Sequence, residues 1–181
     1  MCSSDLWHKV YASPIALGGL SNLCCLNLAF DPANPERVYA LIAARDSSSD
    51  PVFLASKDGG VRWESHATPV STADISGTPW QLWVDPHGSG TVWVGRYRST
   101  DGGRTWAEAA HAPAPLIFIV PDPWQAGRLV GASSVGSLGA LYVSRDWGAT
   151  WAELRQLGSA ARRILFDPDI QIGRASCRER V

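Results

Sequence analysis

The 181-residue sequence is poor in the features that announce a chemistry. It holds no apolar run of about 18 residues or more, so nothing in it reads as a membrane-spanning helix. Sixteen Lys+Arg stand against 17 Asp+Glu for a net charge of −1, and no basic stripe follows a phosphate backbone, which argues against a nucleic-acid partner. Cysteine is scarce: Cys2 and Cys177 lie near the ends, while Cys24 and Cys25 are adjacent, too close for an ordinary disulfide. Cysteine usage therefore does not fix a redox compartment. His8, His66, His87 and His111 stand alone, without the spacing of zinc ligands. Gly131–Gly136 misses the G-x-S-x-G nucleophile pattern by one position and reads as the small residues of a loop between strands. No helix pattern is convincing, and with it goes any glycine-rich phosphate cradle opening a helix. No metal or cofactor is expected.

What the chain has instead is repetition. Ser56–Trp63 reads SKDGGVRW, Ser99–Trp106 reads STDGGRTW and Ser144–Trp151 reads SRDWGATW. All three fit S-x-D-x-G-x-x-W and recur about every 45 residues, the mark of a propeller or solenoid. The phrase predicts a hairpin turn. Glycine supplies positive φ, the Ser hydroxyl and Asp carboxylate bond to backbone of the same turn, and the Trp opens the outgoing strand with its ring on the core. The structural residues so predicted are Ser56, Asp58, Gly60 and Trp63, then Ser99, Asp101, Gly103 and Trp106, then Ser144, Asp146, Gly148 and Trp151. Calcium ligation is the rival reading, but the further acids and the distal Glu of a calcium loop are missing.

A second phrase keeps step. Apolar runs end in Asp-Pro at Asp31-Pro32, Asp85-Pro86, Asp122-Pro123 and Asp167-Pro168. Proline cannot donate to a ladder, so each first strand stops there. Second strands follow from Arg37, Thr91 and Arg128, and third strands (Val52–Ala55, Tyr97–Arg98, Leu141–Val143) lead into the turns. The unit is strand a, Asp-Pro turn, strand b, loop, strand c, S-x-D-x-G-x-x-W turn, strand d. The fold class is all-β: a partial β-propeller of about three four-stranded antiparallel blades. Trp7 has the spacing of a turn-phrase Trp from a preceding blade.

The three phrases resemble the Asp-box, or BNR, repeat of sialidases, sortilin-type receptors and xyloglucan-cleaving glycoside hydrolases. That resemblance implies a propeller, and a secreted or cell-envelope setting, for residues 7–170. Residues 1–6 (MCSSDL) and 171–181, which contain IGRASCRERV, share no phase with the repeat. They resemble translated sequencing adapters and are expected to be non-native tails with few contacts. Closed propellers use on the order of six to eight blades of this length, so the remaining blades of a longer parent chain are expected partners.

Glycoside hydrolysis needs two opposed carboxyl groups. Glu64, Glu108 and Glu153 follow the turn Trp and are expected to be solvent-facing strand charges; Glu36 and Asp169 belong to polar turns. Asp46, Asp50 and Asp74 fall on the b–c and d–a loops, on the face opposite both turn phrases, because successive connections of a meander alternate ends. The resemblance to sialidases and xyloglucan hydrolases implies that this loop face carries the active site, and Asp74-Ile75-Ser76-Gly77 is similar to a D-I-x-G stretch around a catalytic acid of the xyloglucan-cleaving family. Asp74 is therefore the one speculative catalytic residue. Arg163-Ile164-Leu165 departs from the sialidase R-I-P phrase at its third position. Trp80, Trp83 and Trp93 read as core; Trp124 and Trp147, both at turn tips of one blade, read as packed on each other or as an exposed pair for a ligand. The leading reading is a non-catalytic module that binds carbohydrate or protein, or serves as a scaffold. The alternative is a piece of a glycoside hydrolase acting on polysaccharide or glycan, inactive by itself.

Overall fold

The computed structural model describes residues 23–44, 50–71, 81–109, 111, 116–135, 138–161, 163–166 and 175–176. Strands come in fours. Blade 1 is β1 (Leu23–Asp31), β2 (Asn34–Ala44), β3 (Val52–Ser56) and β4 (Glu64–Ala67); blade 2 is β5 (Leu82–Val84), β6 (Val92–Val94), β7 (Tyr97–Ser99) and β8 (Ala107–Glu108). Blade 3 is β9 (Leu116–Pro121), β10 (Leu129–Val135), β11 (Leu138–Ser144) and β12 (Ala152–Leu157). Each sheet pairs its strands antiparallel in chain order, and the described residues contain no helix. The chain is a partial β-propeller of three four-stranded blades.

Burial follows from blades stacking face to face. The middle strand β6 of blade 2 has a neighbouring blade on each side and is buried throughout, and β11 of blade 3 is nearly so. The fourth strands form the rim, where β4 and β12 are exposed almost along their length. Alternation then sorts each middle strand between two seams. On β2, Tyr39 and Leu41 join Phe53, Leu82, Val84 and Val92 in the core between blades 1 and 2. Ala40 and Ile42 turn the other way and pack with Leu54 and Trp63. Trp93 of blade 2 joins Leu116, Ile119 and Leu129 of blade 3 in the next seam.

Several expectations are revised. The turn tryptophans are half-buried rather than largely buried: Trp106 and Trp151 pack at the edges of the two seam cores, and Trp63 packs on Ala40, Ile42 and Leu54 of its own blade. Residues 131–135 are not loop but part of β10, and Gly131 is small because a Cβ there would come within 2.8 Å of Leu116 and 3.0 Å of Trp151. Trp124 and Trp147 do not pack on each other: Trp124 meets Phe166 edge-to-face at 5.8 Å, and Trp147 faces Arg98. At the C-terminal end β13 (Leu165–Phe166) pairs with β14 (Ala175–Ser176), which lies in the segment expected to be a tail. Trp7, Trp80 and Asp167-Pro168 lie outside the described residues.

Candidate functional site

Both families of turns gather at one end of the blades, and their polar atoms are organised by their own backbone. In the c–d turns the Ser hydroxyl donates to the Asp Oδ1 at 2.9, 2.8 and 2.7 Å (Ser56–Asp58, Ser99–Asp101, Ser144–Asp146). The same Oγ accepts the N–H of Gly60, Gly103 and Gly148 at 2.8, 2.7 and 2.8 Å. The carboxylate then caps the far side of the turn, accepting from Arg62 N, Thr105 N and Thr150 N at 2.8, 2.9 and 2.9 Å. In the second and third turns a threonine hydroxyl adds a bond, from Thr105 Oγ1 to Asp101 Oδ2 at 2.6 Å and from Thr150 Oγ1 to Asp146 Oδ2 at 2.5 Å.

The Asp-Pro aspartates are more deeply placed. Asp31, Asp85 and Asp122 are 1–2% exposed, a burial that the Asp-Pro phrase does not itself signal. Each accepts the N–H two residues on, from Ala33, His87 and Trp124. Six residues after the Asp, Arg128 pairs with Asp122 at 3.1 Å and Arg37 with Asp31 at 3.6 Å, whereas blade 2 has Thr91 at that position. That shared Asp-to-Arg spacing was the available signal. One bond ties neighbouring turns together: His87 Nε2 to Asp122 O at 2.9 Å.

Among the described residues, an apolar groove and a polar cleft lie between blades. The first strands β1, β5 and β9, with β13, surround an apolar groove of about 750 Å³ lined by Leu28, Phe30, Trp83, Val120 and Leu165 among others. Trp83 is fixed within it by donating from Nε1 to Gln81 Oε1 at 3.0 Å. A polar cleft of about 310 Å³ separates the turn ends of blades 1 and 2, where Arg104 and Lys57 both reach Glu64 at 3.0 Å. Glu64 is thus a rim charge, as expected, and also a bridge across the seam. Glu108 pairs with Arg96 at 2.7 Å.

The proton chemistry of these acids points in one direction. Thr105 holds the Asp101 carboxyl well below the usual carboxylate range, and Thr150 holds Asp146 down at about 2. The Arg62 N–H lowers Asp58, and Lys57 lowers Glu64. A general acid needs a raised pKa, so that it still carries a proton near neutral pH. These four carboxylates are tuned to stay ionised. Asp50 is exposed at the end of the b–c loop, while Asp46 and Asp74 lie outside the described residues. Among the described residues, no group of three His, Cys, Asp or Glu could hold a metal ion.

No family model matches the chain. It is 28% identical over 140 residues to the oligoxyloglucan-reducing end-specific xyloglucanase of Emericella nidulans, covering 69% of this chain and 17% of that protein. It is 28% identical over 158 residues to a xyloglucanase of a Paenibacillus species, covering 68% and 15%, and 28% identical over 133 residues to the xyloglucanase of Hypocrea jecorina, covering 67% and 16%. The chain therefore spans 15–17% of the length of these curated relatives. Among solved structures it resembles the Niastella koreensis GH74 enzyme with a TM-score of 0.60 at 22% identity, over 80% of this chain and 24% of that one. YCF48 bound to a D1 peptide aligns with a TM-score of 0.51 at 16% identity, over 82% and 46%. At such identities these structures speak to the fold alone: the chain is a segment of a β-propeller.

Proposed function

We propose that the chain is part of the propeller of a glycoside hydrolase acting on a xyloglucan-type polysaccharide, and that its S-x-D-x-G-x-x-W turns are Asp-box repeats. One observation carries this reading: about two thirds of the chain matches xyloglucanases from a bacterium and two fungi at 28% identity. It takes the place of the non-catalytic module as the leading reading. On it the blades are the frame, and the reacting acids stand on loops at the end opposite the turns, with Asp74 the candidate from this segment. A full-length protein containing this segment should release oligosaccharides from xyloglucan, and Asp74→Asn should abolish the release while leaving the fold intact. Wild-type rates in that variant remove Asp74 from the mechanism; no hydrolysis by the unmodified protein defeats the reading.

The binding scaffold stays as the second reading because the turn-end acids are committed to turns and rim bridges. Retention of the catalytically silent full-length protein on a xyloglucan column would favour it.

A further inference from the structure

The fourth position of the turn phrase demands a left-handed backbone. Gly59 and Gly102 occupy it at φ 70° and 75°, and Trp147 occupies it at φ 60°. Glycine enters that region freely, whereas a residue with a Cβ is disfavoured there roughly tenfold or more. Blade 3 thus places a bulky aromatic where its own backbone favours glycine, and tertiary contacts must offset the strain.

Those contacts span two blades. The Trp147 N–H donates to Gly127 O at 2.9 Å. Its indole lies over Gly127, where a Cβ would come within 3.1 Å of Nε1. Across the seam, the Arg98 guanidinium lies 5.9 Å from the Trp147 ring centre and 5.7 Å from that of Trp93. Arg98 and Trp93 are opposite each other on β7 and β6 of blade 2. Among the described residues no carboxylate pairs with Arg98, and its Nε is buried without an acceptor, as is Trp93 Nε1. The two indole faces are what hold this cation.

We infer that Trp93, Arg98 and Trp147 form a cation–π clamp across the seam between blades 2 and 3, and that the strained turn is retained to close it. The clamp joins the b and c strands of one blade to both turns of the next. Cation–π attraction between partly desolvated groups is strong enough to outweigh the backbone strain.

The test is a double-mutant cycle in urea on the 181-residue chain. Trp147→Gly should lower the folded-to-unfolded ratio about fivefold even though it relieves the backbone, and Arg98→Met should lower it similarly. The double variant should lose about fivefold less than the product of the two. Should Trp147→Gly prove too unstable to measure, Trp147→Asn with Arg98→Met completes the cycle, because Asn tolerates the left-handed backbone and has no aromatic face. A Trp147→Gly variant more stable than the parent, or losses that simply multiply in either cycle, would overturn the clamp.

Discussion

Gly103 of blade 2 lies directly against the ring of Phe53 in blade 1: a Cβ built on Gly103 would come within 2.5 Å of Phe53 Cδ1 and closer still to Cε1. Phe53 is fully buried in the seam core and meets Trp106 edge-to-face at 5.1 Å, so its ring has nowhere to retreat. Gly103→Ala should therefore cost about 3 kcal/mol or more, from overpacking added to a φ of 91°. Its neighbour Gly102 has φ 75° and nothing within 4 Å of a built Cβ. Gly102→Ala should cost only the backbone term, about 1–2 kcal/mol. Urea midpoints of the two variants test this ordering, and equal losses would refute the packing argument.

The same turns set an acid limit. Asp146 and Asp101 have lower pKa values folded than unfolded, where an Asp titrates near about 3.9. Their contribution is present above that value and is lost as pH falls through the folded pKa, about 2 for Asp146. Thr150→Val removes the first cause of the Asp146 shift, so the folded pKa should rise toward the unfolded value, lowering stability at neutral pH and shrinking the loss on acidification. Arg62→Thr should act oppositely in the first turn, where Asp58 lacks a threonine hydroxyl. Melting temperature followed from pH 6 to about 2 decides both; unchanged acid limbs would show that the hydroxyl bonds are not linked to folding.

What was legible in the sequence was whatever a short segment encodes by itself. Val52–Ala55 falls inside β3 and Leu116–Val120 inside β9, because apolar runs closed by a turn phrase are local signals. What was hidden needs a second blade to exist. The seat of Phe53 on Gly103, the clamp at Arg98 and the bridge from Glu64 to Arg104 join residues on different repeats. Burial of the Asp-Pro carboxylates is hidden for a related reason: proline alone accounts for the strand end, while the partners Arg37 and Arg128 meet Asp31 and Asp122 only once the turn has folded.

Two ion pairs should respond very differently to the loss of one partner. Arg104–Glu64 spans a seam, but both side chains are 50% exposed, and such pairs contribute about 0–1 kcal/mol. Arg128–Asp122 is 11% and 2% exposed, so Arg128→Met strands a buried carboxylate and should cost about 3 kcal/mol or more. Glu64→Gln should be near neutral, with its small effect vanishing in high salt. Comparable losses in the two variants, measured by urea unfolding, would mean that burial does not govern these pairs.

The 181-residue chain alone should not hydrolyse xyloglucan. Acid–base glycoside cleavage requires one carboxyl that keeps its proton and a second about 5–9.5 Å away. Asp101 and Asp146 are held ionised by threonine bonds, and Asp31 and Asp122 are buried against arginines. Asp85 is buried with its oxygens on the N–H groups of His87 and Ser89. Asp101 and Asp146 thus hold no proton to give at neutral pH, and the oxygens of Asp31, Asp85 and Asp122 are engaged by their own turns. Asp74 and Asp46 would need an opposing acid, and the chain spans only 15–17% of the xyloglucanases it matches. Reducing-sugar release from xyloglucan should therefore stay at the buffer level with the isolated chain. Release that disappears in Asp74→Asn would reverse the conclusion and place a complete acid pair within these residues.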